Sequence, residues 1–372
     1  MNTPVRVGVV GCGTISAAYL TNMTASSHVD VIACADAVAE RAQERAAEFG
    51  VPRAMSTEAL ISDPDVELVV NLTVPTAHAA INLAALAAGK HVYCEKPLAT
   101  TRAEGRLIVD AAESRVLQVG CAPDTFLGAG IQTCLLLMDQ GELGEPLAAT
   151  AFMLNRGPAS WHPNAAVFYQ RGGGPMFDVG PYYLTALVCL LGPVRRVTGM
   201  GRVLFPEIKP DQGPLAGQTL EVSTHTFVAA LMEFESGAQA TLVTSFGIGG
   251  HDLPNMQVYC TRGILAVPDP NTFGGPVRIR ANEDDSVWTE VPLRFRHTDS
   301  RPPRNFRGIG VDEMAQALRS GRQPRASGEL ALHVLDVMES IQESDSMGRH
   351  IEVASRCRRP PLLPSDAGLE EP

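Results

Sequence analysis

The chain has no apolar run of the roughly 18 to 20 residues that a bilayer crossing requires. Its first residues also lack the charged and apolar regions of a signal peptide, so a cytoplasmic protein with no membrane partner is expected. Positive charge is in short supply: 30 Lys and Arg stand against 41 Asp and Glu, for a formal net charge of -11. Such a field repels phosphate backbones and anionic surfaces, which argues against nucleic acid as a partner. Low-complexity tracts and internal repeats are absent. None of the eight cysteines (12, 34, 94, 121, 134, 189, 260 and 357) belongs to a CxxC pair or stands at metal-ligand spacing to a histidine. Reduced, buried thiols and no metal site are expected.

What is there is a globular composition, with 45% apolar and 19% charged residues over 372 positions. That length exceeds the roughly 250 to 300 residues at which a single core stops growing, so two domains are expected. The first 120 residues alternate short β-rich runs with helical stretches: VRVGVV, a helix through Ile15 to Met23, VDVIACAD, a helix through Glu40 to Phe49, ELVVNLT, an alanine-rich helix, HVYCEK and LQVG. This βαβ alternation predicts an α/β N-terminal domain, a doubly wound parallel Rossmann sheet, over 1–123. After Pro123 the pattern changes. A helix near 128–140 is followed by strands at 147–154, 194–201, 222–234, 238–246, 256–261, 263–267 and 277–281, several joined by short turns. Residues 124–358 therefore read as an α+β domain with a large, mostly antiparallel open sheet, with helices at 175–191, 311–319 and 328–343. Residues 359–372 read as a loosely held tail, and the basic run at 297–308 as a solvated loop.

RVGVVGCGTIS places Gly8, Gly11 and Gly13 where the first strand turns into a helix, with Thr14 and Ile15 at the helix start. There a backbone must approach a pyrophosphate and helix amides point at it. The third glycine of the usual GxGxxG falls at Ser16, so Gly11 and Gly13 carry the signal. Asp36 ends the second strand, where a carboxylate accepts hydrogen bonds from adenosine ribose hydroxyls and repels a 2'-phosphate. NAD is thus expected over NADP; capping of the helix through Glu40 is the alternative role for Asp36, and the two are compatible. NLTVPTAH ends a further strand, putting Asn71, Thr73, Pro75 and His78 at the ligand rim, although His78 also reads as an ordinary first-turn helix residue. Glu95, Lys96 and Pro97 leave the next strand of the same sheet at that rim.

The glycine turn, ADAVAERA, CEKPLA and GGGPMFDVGPYYL together resemble the glucose-fructose oxidoreductase and inositol dehydrogenase family, Gfo/Idh/MocA, over nearly the whole chain. The resemblance implies NAD-dependent hydride transfer, with Lys96 catalytic at the reacting sugar oxygen and a cis Lys96–Pro97 bond. An ammonium beside a reacting alcohol stabilises the developing alkoxide, which agrees with that role. The family's second element, an aspartate followed four residues later by histidine, corresponds to Asp178 and Tyr182, with tyrosine in the histidine place, as in some members. Positions i and i+4 share a helix face, so both are candidate catalytic and substrate contacts. The alternative is that Asp178 caps a helix beginning near Pro181 and Tyr182 packs a domain interface.

NRGPASWHPNAAVFYQRGGG, an irregular stretch, offers Arg156, Trp161 and His162, an aromatic face with donors that suits a polyhydroxylated ring. The family often places an arginine after the strand at LQVG, whereas this chain has CAPDTF, which favours a neutral sugar, cyclitol or glycoside. Homodimers or homotetramers through the second sheet are expected. Two other readings stay open: a redox-neutral sugar-modifying enzyme with retained NAD, and a non-catalytic NAD-binding sensor.

Overall fold

A computed structural model describes residues 3–295 and 305–364 of the chain. The part of the basic run from 297 to 304, and the expected tail from 365 onward, lie outside the described residues. The chain divides into two compact units, one comprising Met1–Gly128, His297–Leu335 and Pro360–Pro372, the other Ala129–Arg296 and Asp336–Arg359.

The first unit is a six-stranded parallel sheet: β1 (Val5–Val10), β2 (Val29–Ala35), β3 (Ala54–Met55), β4 (Leu68–Asn71), β5 (His91–Cys94) and β6 (Val119–Cys121). Its spatial order, β3-β2-β1-β4-β5-β6, reverses direction between β1 and β4, the place where such sheets bind nucleotides. Apolar side chains on both faces make these strands buried layers; every residue of β4 is buried. The covering helices are α1 (Ser16–Ala25), α2 (Ala39–Phe49), α3 (Thr57–Ser62), α4 (Pro75–Ala87) and α5 (Arg102–Glu113). Local chemistry sets their ends. Gly50 closes α2 at φ 67°, Pro75 opens α4 with its preset φ, and Thr101 with Glu104 forms a capping box on α5.

The second unit holds α6 (Ala129–Gln140) and a nine-stranded mixed sheet, mostly antiparallel as expected. Its elements are β7 (Pro146–Leu154), α7 (Gly174–Asp178), α8 (Gly180–Leu191), β8 (Val194–Arg202), a small ribbon of β9 (Glu207–Ile208) and β10 (Leu220–Glu221), β11 (Phe227–Phe234), β12 (Gln239–Ser245), β13 (Met256–Cys260), β14 (Gly263–Val267), β15 (Val277–Ala281) and β16 (Thr289–Val291). The helices α9 (Ile309–Ser320) and α10 (Gly328–Met347) and the edge strand β17 (Ile351–Glu352) complete the described chain. Strict burial alternation along β13 and β14 marks a sheet with one covered face, and all twelve residues of α8 are buried.

Two local expectations are corrected. Strand structure begins at Phe227 rather than 222, because the amides of Val222 and Ser223 donate instead to the carbonyls of Pro206 and Tyr169. The single helix expected at 175–191 is two helices, with Val179 (φ -109°) between them; Pro181 has no amide to continue the helical ladder across the break. Beyond residue 359 the chain is held for five residues: Arg325 donates to the carbonyls of Pro361 and Leu362, and Leu363 is buried.

Candidate active site

The carboxyl ends of β1, β2, β4 and β5 bring the predicted cofactor residues to one edge of the first unit. Gly11 turns the chain out of β1 at φ 102°, and a β-carbon there would stand 2.6 Å from the Leu72 carbonyl carbon and 2.8 Å from the Thr73 amide nitrogen. Only glycine lets the two turns approach this closely. Gly13, two residues on, faces open space: a β-carbon would meet nothing within 4 Å. Thr14 is exposed and Ile15 partly so, and no side chain caps α1. Open space over a glycine, beside an uncapped helix start, fits a diphosphate.

Asp36 is half-buried at the end of β2. One carboxylate oxygen accepts the Cys12 amide at 2.7 Å and the other the Val38 amide at 2.9 Å. It does not cap α2, whose N-cap is Val38 with no side-chain bond. Instead it ties the glycine turn to β2 while keeping lone pairs for ribose hydroxyls. The space, the helix end and this acceptor together fit a bound NAD.

Beneath the β4 and β5 ends lies a buried polar network. The Asn71 side-chain oxygen accepts from the Thr73 amide and hydroxyl, and its amide group donates to the His78 carbonyl and to Asn82. The ring nitrogens of His78 lie 2.6 Å from the Pro97 carbonyl and 3.0 Å from the Thr73 carbonyl. Asn71 and His78, expected among the cofactor contacts, are both 0% exposed. Their polar atoms are engaged in holding the turns, which draws both side chains below the rim. Thr73 and Pro75 remain partly exposed above them.

Glu95 is buried, accepting the Tyr19 hydroxyl at 2.8 Å with one oxygen and the Lys96 amide at 2.9 Å with the other. The Lys96–Pro97 peptide is cis, and Lys96 itself is partly exposed. Tyr19, Asn82 and Cys94 were missed from the sequence. Tyr19 stands on the buried stripe of α1 with Ser16, Leu20 and Met23, a periodicity that signals core and not a partner 76 residues away.

In the second unit Arg156 is exposed in the turn after β7. Trp161, 61% exposed, and His162 meet edge to face with ring centres 5.4 Å apart, and Phe168 lies 4.8 Å from His162. The glycine run joins this loop to α7, since a β-carbon on Gly173 would stand 2.7 Å from the Val167 carbonyl oxygen. Asp178 ends α7, partly exposed, and Tyr182 lies in the first turn of α8, 7% exposed. Asp124, in the first unit, is buried, its carboxylate accepting the amides of Gly308 and Gly310 at the start of α9; burial pushes its pKa up to about 6 against those two bonds. The eight cysteines are free, and seven of them are buried. Among the described residues no helix is long and apolar enough to cross a membrane.

Residues 5–122 match the family described as an oxidoreductase family with an NAD-binding Rossmann fold, and residues 131–266 match the GFO/IDH/MocA C-terminal domain. The chain is 31% identical to the 1,5-anhydro-D-fructose reductase of Ensifer adhaerens, across 94% of this chain and 98% of that protein. It is 28% identical to the trans-1,2-dihydrobenzene-1,2-diol dehydrogenase of Oryctolagus cuniculus, across 90% and 97%. A solved levoglucosan dehydrogenase in complex with NADH and levoglucosan superposes with a TM-score of 0.80, covering 95% of this chain and all of that one; at 21% identity this is a likeness of fold.

Proposed function

The chain belongs to the Gfo/Idh/MocA family of NAD-dependent oxidoreductases, and from that premise we propose that it moves hydride between NAD and a secondary hydroxyl, or the matching ketone, of a neutral sugar-like ring. The observation that carries this reading is the turn after β5. There a partly exposed lysine follows a buried glutamate anchored on Tyr19, on the sheet edge that also presents Gly13 and Asp36. When bound, NAD supplies the hydride acceptor or donor.

The rest falls to side chains. Lys96 hydrogen-bonds the reacting oxygen, and its positive charge stabilises the alkoxide character that develops there. Tyr182 takes or returns the hydroxyl proton, and Asp178 orients the substrate or the lysine. Trp161 stacks on the apolar face of the ring, while His162 and Arg156 bond its hydroxyls. A neutral ring is favoured because the stretch after β6, where the family often has an arginine, holds Asp124 instead, an acid engaged in holding α9. A similar protein is named for an anhydrosugar, which supports the same substrate class. The outward face of the large sheet carries exposed Met200 and Leu231 on the paired strands β8 and β11, and a homodimer or homotetramer would form across it.

The test is a panel of monosaccharides, inositols, anhydrosugars and glycosides scored for NADH formation. Stoichiometric NADH with at least one ring supports the proposal. NAD that stays bound and never accumulates as NADH, while the sugar is altered, would replace it with redox-neutral chemistry. Binding of NAD with no change in any ring would leave the sensor reading.

A further inference from the structure

His78 sits in the first turn of α4 with no solvent exposure, its ring nitrogens 2.6 Å from the Pro97 carbonyl and 3.0 Å from the Thr73 carbonyl, with the Cys94 side chain also facing the ring. A carbonyl only accepts. A neutral imidazole has one N–H and one lone pair, so it would satisfy one carbonyl and press its lone pair against the other at 3.0 Å or less. The doubly protonated ring satisfies both. We propose that His78 is a positioning residue for the Lys96 turn, held as an imidazolium whose two N–H groups donate to the carbonyls of Thr73 and Pro97 and so clamp the β4 and β5 turns together. The inference rests on the reading above, in which Lys96 acts in the chemistry.

A buried cation needs a counter-charge. Among the described residues, the titratable group facing His78 is Cys94, on β5. Burial pushes the Cys94 thiol up, but Cys121, His78 and Asn82 outweigh it and hold it below the ordinary thiol range. Burial pushes His78 down, and Cys94 with the two carbonyls outweighs it, raising the ring to about 9. Asn82 Nδ2, next to the Asn71 side chain that closes the same network, is buried with no hydrogen-bond partner. The turn that carries Lys96 is thus clamped through the Pro97 carbonyl, with Cys94 as the counter-charge the imidazolium calls for.

The experiment uses full-length protein labelled with 15N-histidine and reads two-bond proton–nitrogen spectra, with the His78 signals assigned by His78→Asn. At pH 7 both His78 ring nitrogens carry protons; a ring protonated on one nitrogen at pH 7 overturns the proposal. Should His78→Asn not fold, Cys94→Ser assigns the same signals, because removing the thiolate shifts His78 alone and lowers the pH at which its second proton leaves. No shift in Cys94→Ser also overturns the pairing. In turnover, His78→Asn lowers kcat about a hundredfold, the order expected when a reacting group is displaced by about 1 Å, and leaves the Kd for NAD within about threefold. A raised Kd with kcat unchanged would make His78 a cofactor support instead. In Cys94→Ser, kcat acquires a fall with rising pH in the neutral range that the wild type lacks. The nitrogen spectra need no substrate, so they decide the state of His78 even if the activity reading fails.

Discussion

Two glycines two residues apart in the same turn are required for different reasons, and one substitution at each separates them. Gly11→Ala forces a side chain into the positive-φ region at 102°, which costs about 1 to 3 kcal/mol. It also drives a β-carbon to within 2.6 to 2.8 Å of Leu72 and Thr73 backbone atoms, which cannot rotate away. Overpacking of this kind adds about 1 to 3 kcal/mol, giving a total of about 2 to 6. At about 2 to 4 °C per kcal/mol for a unit of 150 to 250 residues, Gly11→Ala lowers Tm by at least about 4 °C. Gly13→Ala meets nothing within 4 Å, so without ligand it melts within about 1 kcal/mol of wild type. Its methyl group does enter the space left for the diphosphate, and NAD binds at least about tenfold more weakly, a loss of about 1.4 kcal/mol. Calorimetric melting with and without NAD reads both. NAD at a hundred times the wild-type Kd stabilises wild type by about 2.7 kcal/mol, and Gly13→Ala by about half as much. Gly11→Ala melting with wild type, or Gly13→Ala gaining the full shift from NAD, would refute these roles.

Asp36→Ser removes the negative charge at the end of β2 and leaves a short acceptor for the Cys12 and Val38 amides. Titration of both cofactors then gives a preference at least about tenfold closer to NADP, and an unchanged ratio would remove Asp36 from ribose recognition. Asp124 has its pKa raised from 3.8 to about 6, so its contribution to folding is fully present below 3.8 and is lost as pH rises through 6. Asp124→Asn keeps an acceptor for the Gly308 and Gly310 amides, abolishes that pH dependence in denaturant titrations, and is at least as stable as wild type at pH 7. Asp124→Ala is less stable at the same pH, because the two amides lose their acceptor.

The N-terminal unit was legible because its signals are local. Mostly apolar runs such as VGVV and LVV, glycines at a strand end and an acid closing the second strand all follow from near-neighbour chemistry. The second sheet was legible as alternation in seven of its nine strands; the short edge strands β16 and β17 carry too few residues to show a pattern, and in the first five residues of 222–234 threonine-rich β propensity yields to amide bonds with two distant loops. What pattern reading missed depends on long-range partners. His78 and Asn71 fall at the right strand end but turn inward, because carbonyls and an asparagine 11 residues on engage their polar atoms. The break at Val179 has a local cause in Pro181, yet whether proline kinks a helix or divides it depends on the packing around it.

Lys96→Ala removes the charge placed at the reacting oxygen and leaves the glycine turn and Asp36 intact. NADH formation is followed with a ring substrate that the wild type oxidises, and NAD binding is measured on the same preparation. NAD affinity is retained while kcat falls by at least about a hundredfold, within the range contributed by one positioned proton-transfer or charge-stabilising group. Turnover at the wild-type rate with Lys96→Ala would contradict that role for Lys96.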